Sequence, residues 1–291
     1  MSLSSLAPAK INLYLHVAAP TPDGFHPLAS LMAFADIGDE VRADDADDLS
    51  LQIIGPFAAG LQAEADNLVL RAARALAAAA GVGPRARLTL VKALPVAAGL
   101  GGGSSDAGAA LRLQRGVVHV QAPQGAQQAV AESLGSDGAP CLWGRAVTAE
   151  GRGEILSSAP AMPVLPAVLV NPGVPSPTGA VYRAYDAMGA VGAADRPEAP
   201  ALADIPAAAA WLAGLRNDLE EPALALEPRI GQALEALKAS EETLLARMSG
   251  SGATCFALCP SDDAASALAE RLGSEHPGWW VRPCRFGDAS H

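Results

Sequence analysis

A glycine-rich segment constrains this chain more than any other feature of its sequence. Residues 95–108 read PVAAGLGGGSSDAG, with four glycines among the five residues from Gly99 to Gly103. The segment joins a strand-like stretch with alternating apolar residues, Arg87–Leu94, to a helix-like stretch, Asp106–Leu113. Glycine allows positive φ and has no Cβ atom to keep a ligand away, so successive N–H groups can point toward one anion. The segment therefore predicts a phosphate-binding loop.

The start of the following helix would complete such an anion site. We expect Ser104 or Ser105 to cap this helix, whose unpaired N–H groups and dipole favour a phosphate. Two better-known signatures are excluded: a Walker A loop needs a lysine that is missing, and a dinucleotide fingerprint needs glycine where Ser104 stands. A flexible linker is the alternative, but linkers rarely separate an alternating strand from a capped helix.

Composition limits the partners that the chain can have. Its 291 residues, 50% of them hydrophobic, suffice for a large core and predict two domains. A net charge of −11 argues against binding to nucleic acid or to a membrane surface, because both need a basic face. The four cysteines form no C-x-x-C pair, and the N-terminus lacks the basic region of a signal peptide. We therefore expect a cytoplasmic protein.

The rest of the chain alternates between strand-like and helix-like patterns. Strands are predicted over Ala9–Val17, Leu49–Ile54, Cys141–Ala149, Ala167–Val170, Thr254–Leu258 and Trp279–Cys284. Helices are predicted over Leu68–Ala80 with Asp66-Asn67 as its cap, and over Ala126–Leu134, Pro206–Leu215, Leu219–Leu226, Arg229–Ala239 and Asp262–Leu272. The uncharged run Ile155–Tyr182 contains six prolines, so it predicts a strand and a loop rather than a membrane helix.

A few polar residues stand out, although each has a plain structural interpretation. Lys10 is one of three lysines among 20 basic residues, which hints that a compact ammonium is needed there, but a chance surface position remains open. Asp137 lies in the turn GSDGAP and, taken alone, is interpreted as a turn or cap residue. Phe25 and His26 follow the turn Thr21–Gly24 and could form a simple hairpin end.

Three segments resemble, in order, the motifs of the GHMP small-molecule kinases: Pro8–Leu13, Pro95–Ser105 and Ser249–Gly252. Segments similar to those of one branch of that family, whose substrate carries a cytidine diphosphate group, are Asp23–Leu28, Asp36–Asp39, Gly135–Asp137 and Asn217–Glu220. The resemblance implies an α+β fold of two lobes with ATP and substrate in the cleft between them. Residues 1–159 would form an ATP-binding lobe resembling domain 2 of ribosomal protein S5, and residues 160–291 a ferredoxin-like α/β sandwich.

The same resemblance implies a reaction and its residues. The γ-phosphoryl group of ATP would pass to the 2-hydroxyl of a methylerythritol unit in the non-mevalonate isoprenoid precursor pathway. Lys10 and Asp137 match the catalytic pair of the family. The matching ATP-binding positions are Asn67, Lys92, Pro95, Gly99, Leu100, Gly101, Gly102, Gly103, Ser104 and Ser105. The matching substrate positions are Asn12, Phe25, His26, Thr178 and Tyr182, with the rings of Phe25 and Tyr182 on opposite faces of the pyrimidine.

The residue types suit phosphoryl transfer. Its transition state is loose, so an aspartate of ordinary pKa such as Asp137 can orient the hydroxyl and accept its proton late. Lys10 would hold the aspartate and offset developing charge. Mg²⁺ is expected with ATP, coordinated mainly by phosphates and water because the motifs offer no carboxylate cluster, and no protein metal site is predicted. The expected partner is a small molecule with a cytidine diphosphate group, bound by a monomer or homodimer.

Two departures from the family pattern bear on the site. Gly138-Ala139-Pro140 follows Asp137 where a Val-Pro pair is usual, which predicts a looser turn. Asp106 at the helix start would repel phosphate unless it points away. Two other functions stay open: a GHMP kinase for homoserine or a mevalonate, and a catalytically silent nucleotide-binding relative. Lys10 together with Asp137 argues against the silent relative, and the Phe25-His26 pair with Tyr182 argues against the other substrates.

Overall fold

The computed structural model describes residues 2–61, 67–113, 122–189 and 192–287. Within these ranges ten strands form one sheet, accompanied by nine α-helices. The strands are β1 Leu3–Val17, β2 Leu28–Asp44, β3 Ser50–Ile54, β4 Arg87–Val91, β5 Val147–Gly151, β6 Ile155–Ser158, β7 Leu165–Asn171, β8 Leu245–Met248, β9 Cys255–Leu258 and β10 Trp280–Gly287. The helices are α1 Leu68–Ala79, α2 Gly102–Arg112, α3 Ala126–Ser133, α4 Gly138–Trp143, α5 Thr178–Ala187, α6 Ile205–Ala213, α7 Glu220–Leu226, α8 Pro228–Lys238 and α9 Asp262–Glu275.

Strands β1 and β2 form the long antiparallel pair that the rest of the fold surrounds. β1 is buried without interruption from Ala7 to Val17, because helices and strands cover both of its faces. Its register against β2 shifts between Pro8 and Lys10 and again between Asn12 and Tyr14. Such β-bulges change the direction of nearby side chains, and they are common beside active sites.

The sheet continues through both predicted lobes, in the order β3-β4-β2-β10-β7-β9-β8, with β1 and β5 also on β2. β10 pairs with β7 along its whole length and with β2 at Phe286 and Gly287. One buried apolar cluster likewise combines Ile11 and Leu31 with Phe256 from the second half of the chain. The mixed α+β architecture confirms the predicted fold class. The division at 159/160 is not a break in the sheet and stays a prediction.

Most of the predicted helices form where their caps and apolar periodicity placed them. Asn67 Oδ1 accepts a hydrogen bond from Val69 N at 2.9 Å and so caps α1, whereas Asp66 lies outside the described residues. Ser261 caps α9 through Ala264 N, and α9 buries one apolar stripe against the sheet. In the described ranges, no helix combines the length and the hydropathy that crossing a membrane would take.

Several assignments differ from the sequence-based prediction, and β8 is among the strands that it missed. The predicted strand Cys141–Ala149 is wrong: its first residues belong to α4, Gly144 ends that helix in the left-handed region, and β5 begins at Val147. A short apolar run does not distinguish a strand from a buried helix by its period alone. β2 was missed as a strand around the Asp36–Asp39 motif, and α5 was missed because it follows a proline-rich stretch.

Candidate active site

The glycine-rich loop exposes backbone donors without a serine cap. Gly101 has a φ of 61° and is the N-cap of α2, which glycine allows at little cost, and the helix begins at Gly102. Ser104 and Ser105 therefore lie inside the first turn, so the prediction that one of them caps the helix is wrong. The first backbone bond of the helix joins Ser105 N to Gly101 O at 2.9 Å. The preceding N–H groups have no intrahelical partner and are available to an anion.

The third motif supports this loop from behind. Ser249 Oγ donates to Gly99 O at 3.0 Å and accepts from Asn12 N at 3.1 Å. A Cβ atom on Gly99 would lie 2.8 Å from Gly252 O, so only glycine fits where the two loops touch. Thr254 N also donates to Ala98 O at 3.1 Å. The Ser249–Gly252 motif therefore holds the phosphate loop against β1.

Lys10 and Asp137 lie 127 positions apart in the sequence, but their side chains are in contact. Lys10 Nζ lies 3.1 Å from Asp137 Oδ2 and 3.0 Å from Asn12 Oδ1. Asn12 is held in turn, because its Nδ2 donates to Ser30 Oγ at 2.7 Å. The Lys10 side chain is 8% exposed and that of Asp137 29% exposed, so the pair has one face open to the cavity.

Asp137 is the N-cap residue of α4, and the Gly-Ala-Pro sequence after it starts the helix. A Cβ atom on Gly138 would overlap the Ala131 carbonyl oxygen, so the start of α4 touches the backbone of α3 directly. Pro140 lies in the first turn, where its missing N–H costs no intrahelical bond. The predicted loosening of this turn is therefore not observed, and Asp137 is held within reach of Lys10.

A single large cavity of about 1610 Å³ joins the loop and the pair. The predicted site residues that line it are Lys10, Asn12, Phe25, His26, Asn67, Lys92, Pro95, Gly99, Leu100, Gly101, Gly102, Gly103, Ser104, Asp137, Thr178 and Tyr182. Ser105 does not line it: this side chain is fully buried and its Oγ donates to Pro8 O at 2.7 Å. The geometry thus gives Ser105 a contact with β1 instead of the predicted contact with ATP.

Aromatic side chains line the end of the cavity formed by α5. The rings of His26 and Tyr182 lie with centroids 4.8 Å apart, and His26 Nε2 lies 2.7 Å from Asp186 Oδ1. Burial, with Asp137 as a smaller cause, raises the pKa of Tyr182 to about 12, so its hydroxyl is neutral at physiological pH. Phe25 is 52% exposed, and the guanidinium carbon of Arg152 lies 4.0 Å from the centre of its ring.

A buried charge cluster lies at the other end, beside α2. Lys92 Nζ donates to Asp39 Oδ2 at 2.5 Å and to Asp106 Oδ2 at 2.9 Å. Asp39 Oδ1 accepts from the N–H groups of Ala93 and Leu94. Asp106 thus pairs with an ammonium, whose positive charge offsets the repulsion that its carboxylate would exert on a phosphate in the loop. Lys92 Nζ and Asn67 Oδ1 already have protein partners, and the contact of these two residues with ATP stays a prediction.

The same cluster has unusual protonation equilibria. Burial and the nearby Asp39 raise the pKa of Asp106 to about 7, against the attraction of Lys92. Burial would lower the pKa of Lys92, but attraction to Asp106 and Asp39 raises it overall. Asp106 Oδ1 is buried without a hydrogen-bond partner. Two carboxyl groups therefore share one ammonium, and Asp106 takes up a proton more readily than a free aspartate.

Several residues of the cavity were missed by the sequence analysis. Ser251 Oγ lies 2.9 Å from Thr178 Oγ1, and Ser251 could have been chosen because it belongs to a quoted motif. Arg152, Arg183 and Asp186 also line the cavity. Arg183 and Asp186 follow the predicted Tyr182 closely on α5, but none of the three belongs to a quoted motif.

The chain is similar to known proteins over most of its length. The model "GHMP kinases N terminal domain" matches residues 67–145, and "GHMP kinases C terminal" matches residues 199–278. A curated protein from a Caulobacter species, named 4-diphosphocytidyl-2-C-methyl-D-erythritol kinase, is 58% identical over 290 residues, covering 99% of each chain. A protein of the same name from Caulobacter vibrioides is 57% identical over 289 residues, covering 98% of this chain and 100% of that one.

Solved structures give the same picture. A crystal structure of 4-(cytidine 5'-diphospho)-2C-methyl-D-erythritol kinase superposes with a TM-score of 0.77 at 33% identity, covering 98% of this chain and 99% of that one. Homoserine kinase from Cytophaga hutchinsonii superposes with a TM-score of 0.68 at 21% identity, covering 99% and 95%. At that lower identity the likeness is one of fold.

Proposed function

Since the chain belongs to the GHMP kinase family, we propose that it transfers the γ-phosphoryl group of ATP to the 2-hydroxyl of 4-diphosphocytidyl-2-C-methyl-D-erythritol. This reaction is a step of the non-mevalonate route to isoprenoid precursors. Relatives that are 57–58% identical over almost the whole chain bear the name of the enzyme. The observation that carries the proposal is that the Lys10–Asp137 pair, at 3.1 Å, lies in one cavity with the phosphate loop.

The phosphate loop is proposed to bind the triphosphate of ATP. Its open N–H groups at Gly102, Gly103 and Ser104 lie at the positive end of α2, and these residues line the cavity. A short loop of this kind suits phosphates because the anion accepts hydrogen bonds from the first N–H groups of the helix, which have no intrahelical acceptor. Lys10 lies beside it, and a Cβ atom on Gly101 would be 3.1 Å from Lys10 Cε. The ammonium is thus close to where transferred charge would develop.

Mg²⁺ is proposed to accompany ATP. Across the described ranges, no group of three or more His, Cys, Asp and Glu side chains is arranged to hold a metal ion. The Ser104 hydroxyl that lines the cavity is an oxygen donor of the type Mg²⁺ prefers, and phosphates and water would supply the remaining ligands. The ion would neutralise charge on the phosphates.

Asp137 and Lys10 are proposed to handle the acceptor hydroxyl. Lys10 holds Oδ2 of Asp137, which leaves Oδ1 to accept a hydrogen bond from the 2-hydroxyl and later its proton. In a loose transition state the proton leaves late, so positioning by Asp137 counts for more than basicity. Lys10 Nζ, 3.1 Å from the carboxylate, would stabilise the transferring group. Asn12 keeps the ammonium aimed at this point through its 3.0 Å hydrogen bond.

The aromatic end of the cavity is proposed to bind cytosine. Phe25 and Tyr182 offer ring faces for stacking, which every base can use. Selection of cytosine is assigned to His26: if Nε2 donates to Asp186, the neutral ring keeps Nδ1 as an acceptor for the exocyclic amino group of cytosine. Uracil has a carbonyl at that position and would leave the nitrogen unpaired. This assignment separates the proposal from homoserine and mevalonate kinases, which share the fold.

Substitution of Asp137 tests the proposal directly. Asp137→Asn keeps the size of the side chain but removes the proton acceptor, so we expect kcat to fall roughly 10²–10⁴-fold while ATP binding persists. Asp204→Asn is the control for the same substitution at another helix N-cap position, because Asp204 precedes α6 and does not line the cavity. The measurements are steady-state kinetics and calorimetric titration with ATP. Near-wild-type kcat in Asp137→Asn would contradict the proposed role.

A further inference from the structure

Helix α2 carries a line of residues that the phosphate loop itself does not use. Ser105, Gly108 and Arg112 are three and four positions apart, so they share one face of the helix. This face, the α2 seam, contacts two elements at once. One is β1, which carries Lys10, and the other is α4, which begins next to Asp137.

Arg112 makes four hydrogen bonds across the seam. Its Nε and Nη2 donate to Ser5 Oγ and Leu6 O on β1. Its Nη1 donates to Cys141 O at 2.8 Å and to Leu142 O at 2.9 Å in α4. The last carbonyls of a helix lack intrahelical partners, and a cation there complements the helix dipole. Arg112 therefore stabilises the C-terminal end of α4 while it holds α4 against β1.

Ser105 and Gly108 reinforce the same junction. Ser105 Oγ donates to Pro8 O on β1 at 2.7 Å and lies 3.3 Å from Cys141 Sγ in α4. A Cβ atom on Gly108 would lie 2.6 Å from Cys141 O, so the backbones of α2 and α4 are in direct contact. A larger residue at position 108 would push α4 away from the loop helix.

The seam determines how the two catalytic side chains approach each other. Among the residues that the structure describes, the Lys10–Asp137 pair is the one polar contact that joins β1 directly to α4 or its cap. The other hydrogen bonds that link these elements pass through α2. We propose that Arg112 is a positioning residue that holds Asp137 in reach of Lys10 and keeps the pair in register with the phosphate loop. The inference rests on the proposed function in treating Lys10 and Asp137 as the catalytic pair.

Arg247 provides a matched control for Arg112. It is buried where Arg112 is half-buried, and its guanidinium donates to Leu13 O on β1 and to Leu212 O and Leu215 O at the end of α6. It therefore ties β1 to a helix that bears no catalytic residue. The variants to compare are Arg112→Lys and Arg112→Met with Arg247→Lys and Arg247→Met. The measurements are Tm, kcat and KM for ATP, at a temperature where every variant is folded.

Both arginines should contribute to stability, but Arg112 alone should affect turnover. We expect Tm to fall in both series and kcat to fall at least roughly 10-fold in Arg112→Met, because a misplacement of about 1 Å can cost 10²-fold in rate. KM for ATP should not change, and Arg112→Lys should recover part of kcat. Wild-type kcat in Arg112→Met, or equal losses of kcat in both series, would overturn the proposal.

Gly108→Ala keeps the test decisive if Arg112→Met does not fold. Alanine favours a helix more than glycine does, so α2 itself should not suffer, but the added Cβ must displace α4. Gly273→Ala in α9 is the control, because an added Cβ there meets no atom within 4 Å. We expect kcat to fall only in Gly108→Ala. Wild-type kcat in that variant would contradict the proposal that the α2 seam positions Asp137.

Hydrogen exchange separates failure of this inference from failure of the proposed function. The backbone amides of residues 138–143 should exchange faster in Arg112→Lys than in the wild type, and at the wild-type rate in Arg247→Lys. This readout needs no activity. If the wild type proves inactive as a kinase, the proposed function fails and exchange alone decides on the seam. Unchanged exchange in Arg112→Lys would then overturn it.

Discussion

Phe25 and His26 present their side chains to the cavity in different ways. His26 is held from two sides, by Asp186 Oδ1 at 2.7 Å and by the ring of Tyr182 at 4.8 Å. Phe25 is half exposed, and Arg152 covers one face of its ring while also pairing with Asp23. The other face of Phe25 is thus the one available for a base. The hairpin-core interpretation of Phe25 does not fit such exposure.

Substitution of Phe25 or His26 should weaken binding of the cytidyl substrate without weakening binding of ATP. Stacking contributes roughly 1–3 kcal/mol per base, so Phe25→Ala should raise its KM roughly 5- to 150-fold. His26→Ala should raise it at least several-fold and also narrow the preference for cytidyl over uridyl substrate, because a polar site rejects an analogue that leaves it unpaired. KM for ATP and Tm should stay nearly constant.

His276→Ala is the matched control for His26→Ala. The ring of His276 stacks on that of Trp279, with centroids 3.7 Å apart, and His276 does not line the cavity. This control should leave both KM values unchanged. Equal rises in KM for ATP and for the cytidyl substrate, or a large fall in Tm without a change in selectivity, would argue that Phe25 and His26 have structural roles.

The Asp39–Lys92–Asp106 cluster should make stability depend on pH. The pKa of Asp106 is raised from 3.8 to about 7 in the folded chain, so folded molecules bind a proton that unfolded ones release. Stability linked to this proton is present below about pH 4, declines as pH rises toward 7, and changes little above it. Asp106→Asn removes the proton but leaves Lys92 its pair with Asp39. We therefore expect the Tm of Asp106→Asn, relative to wild type, to rise between pH 4 and pH 7.

The check is a series of thermal melts across that range. Asp263→Asn, at an exposed aspartate in the first turn of α9, is the control and should run parallel to wild type. If the curve of Asp106→Asn is also parallel to wild type, Asp106 does not carry the extra proton.

The phosphate loop and α2 act as one element. Helix α2 starts at the loop, and its seam continues to β1 and α4, so hydrogen bonds of α2 link the loop to the elements that carry Lys10 and Asp137. The position of the loop was predictable because glycine spacing between a strand and a helix is a local signal. Its cap was not, since Gly101 in the left-handed region replaces the expected serine. α4 was mistaken for a strand because its six residues carry no local signal for a helix. Its packing against α2 and α3 depends on residues distant in sequence.

A bulky residue in the loop should weaken nucleotide binding. Gly102 is helical, without positive φ, so Gly102→Val would not act through backbone strain. Steric effects remain: a Cβ atom at this position would lie 3.2 Å from Lys92 Nζ and beside the open N–H groups. We expect a clear loss of ATP affinity, measured by calorimetry. Gly83→Val is the control, because Gly83 is exposed and a Cβ atom added there would meet no atom within 4 Å. Unchanged affinity in a folded Gly102→Val would remove the loop from the ATP site.

The whole molecule assembles its site from both halves of the chain. Lys10, the loop and Asp137 come from the first half, whereas Thr178, Tyr182 and Ser251 come from the second. The motif residues could be found from the sequence because family resemblance identified them one by one. Arg152, Asp186 and the Arg112 contacts could not, since they depend on pairings between segments 29 to 160 residues apart. The continuous sheet through β10 and β2 holds these segments in one body.

The central claim is that this body is a kinase for one cytidyl substrate, and ATP consumption by the purified chain tests it most directly. The assay offers ATP and Mg²⁺ with 4-diphosphocytidyl-2-C-methyl-D-erythritol, mevalonate or homoserine in parallel, with Asp137→Asn as the blank. We predict rapid turnover with the cytidyl compound alone, because in the proposed site only that compound reaches both the Lys10–Asp137 pair and the aromatic end while ATP occupies the phosphate loop. Turnover with mevalonate or homoserine instead, or with none of the three, would contradict the account.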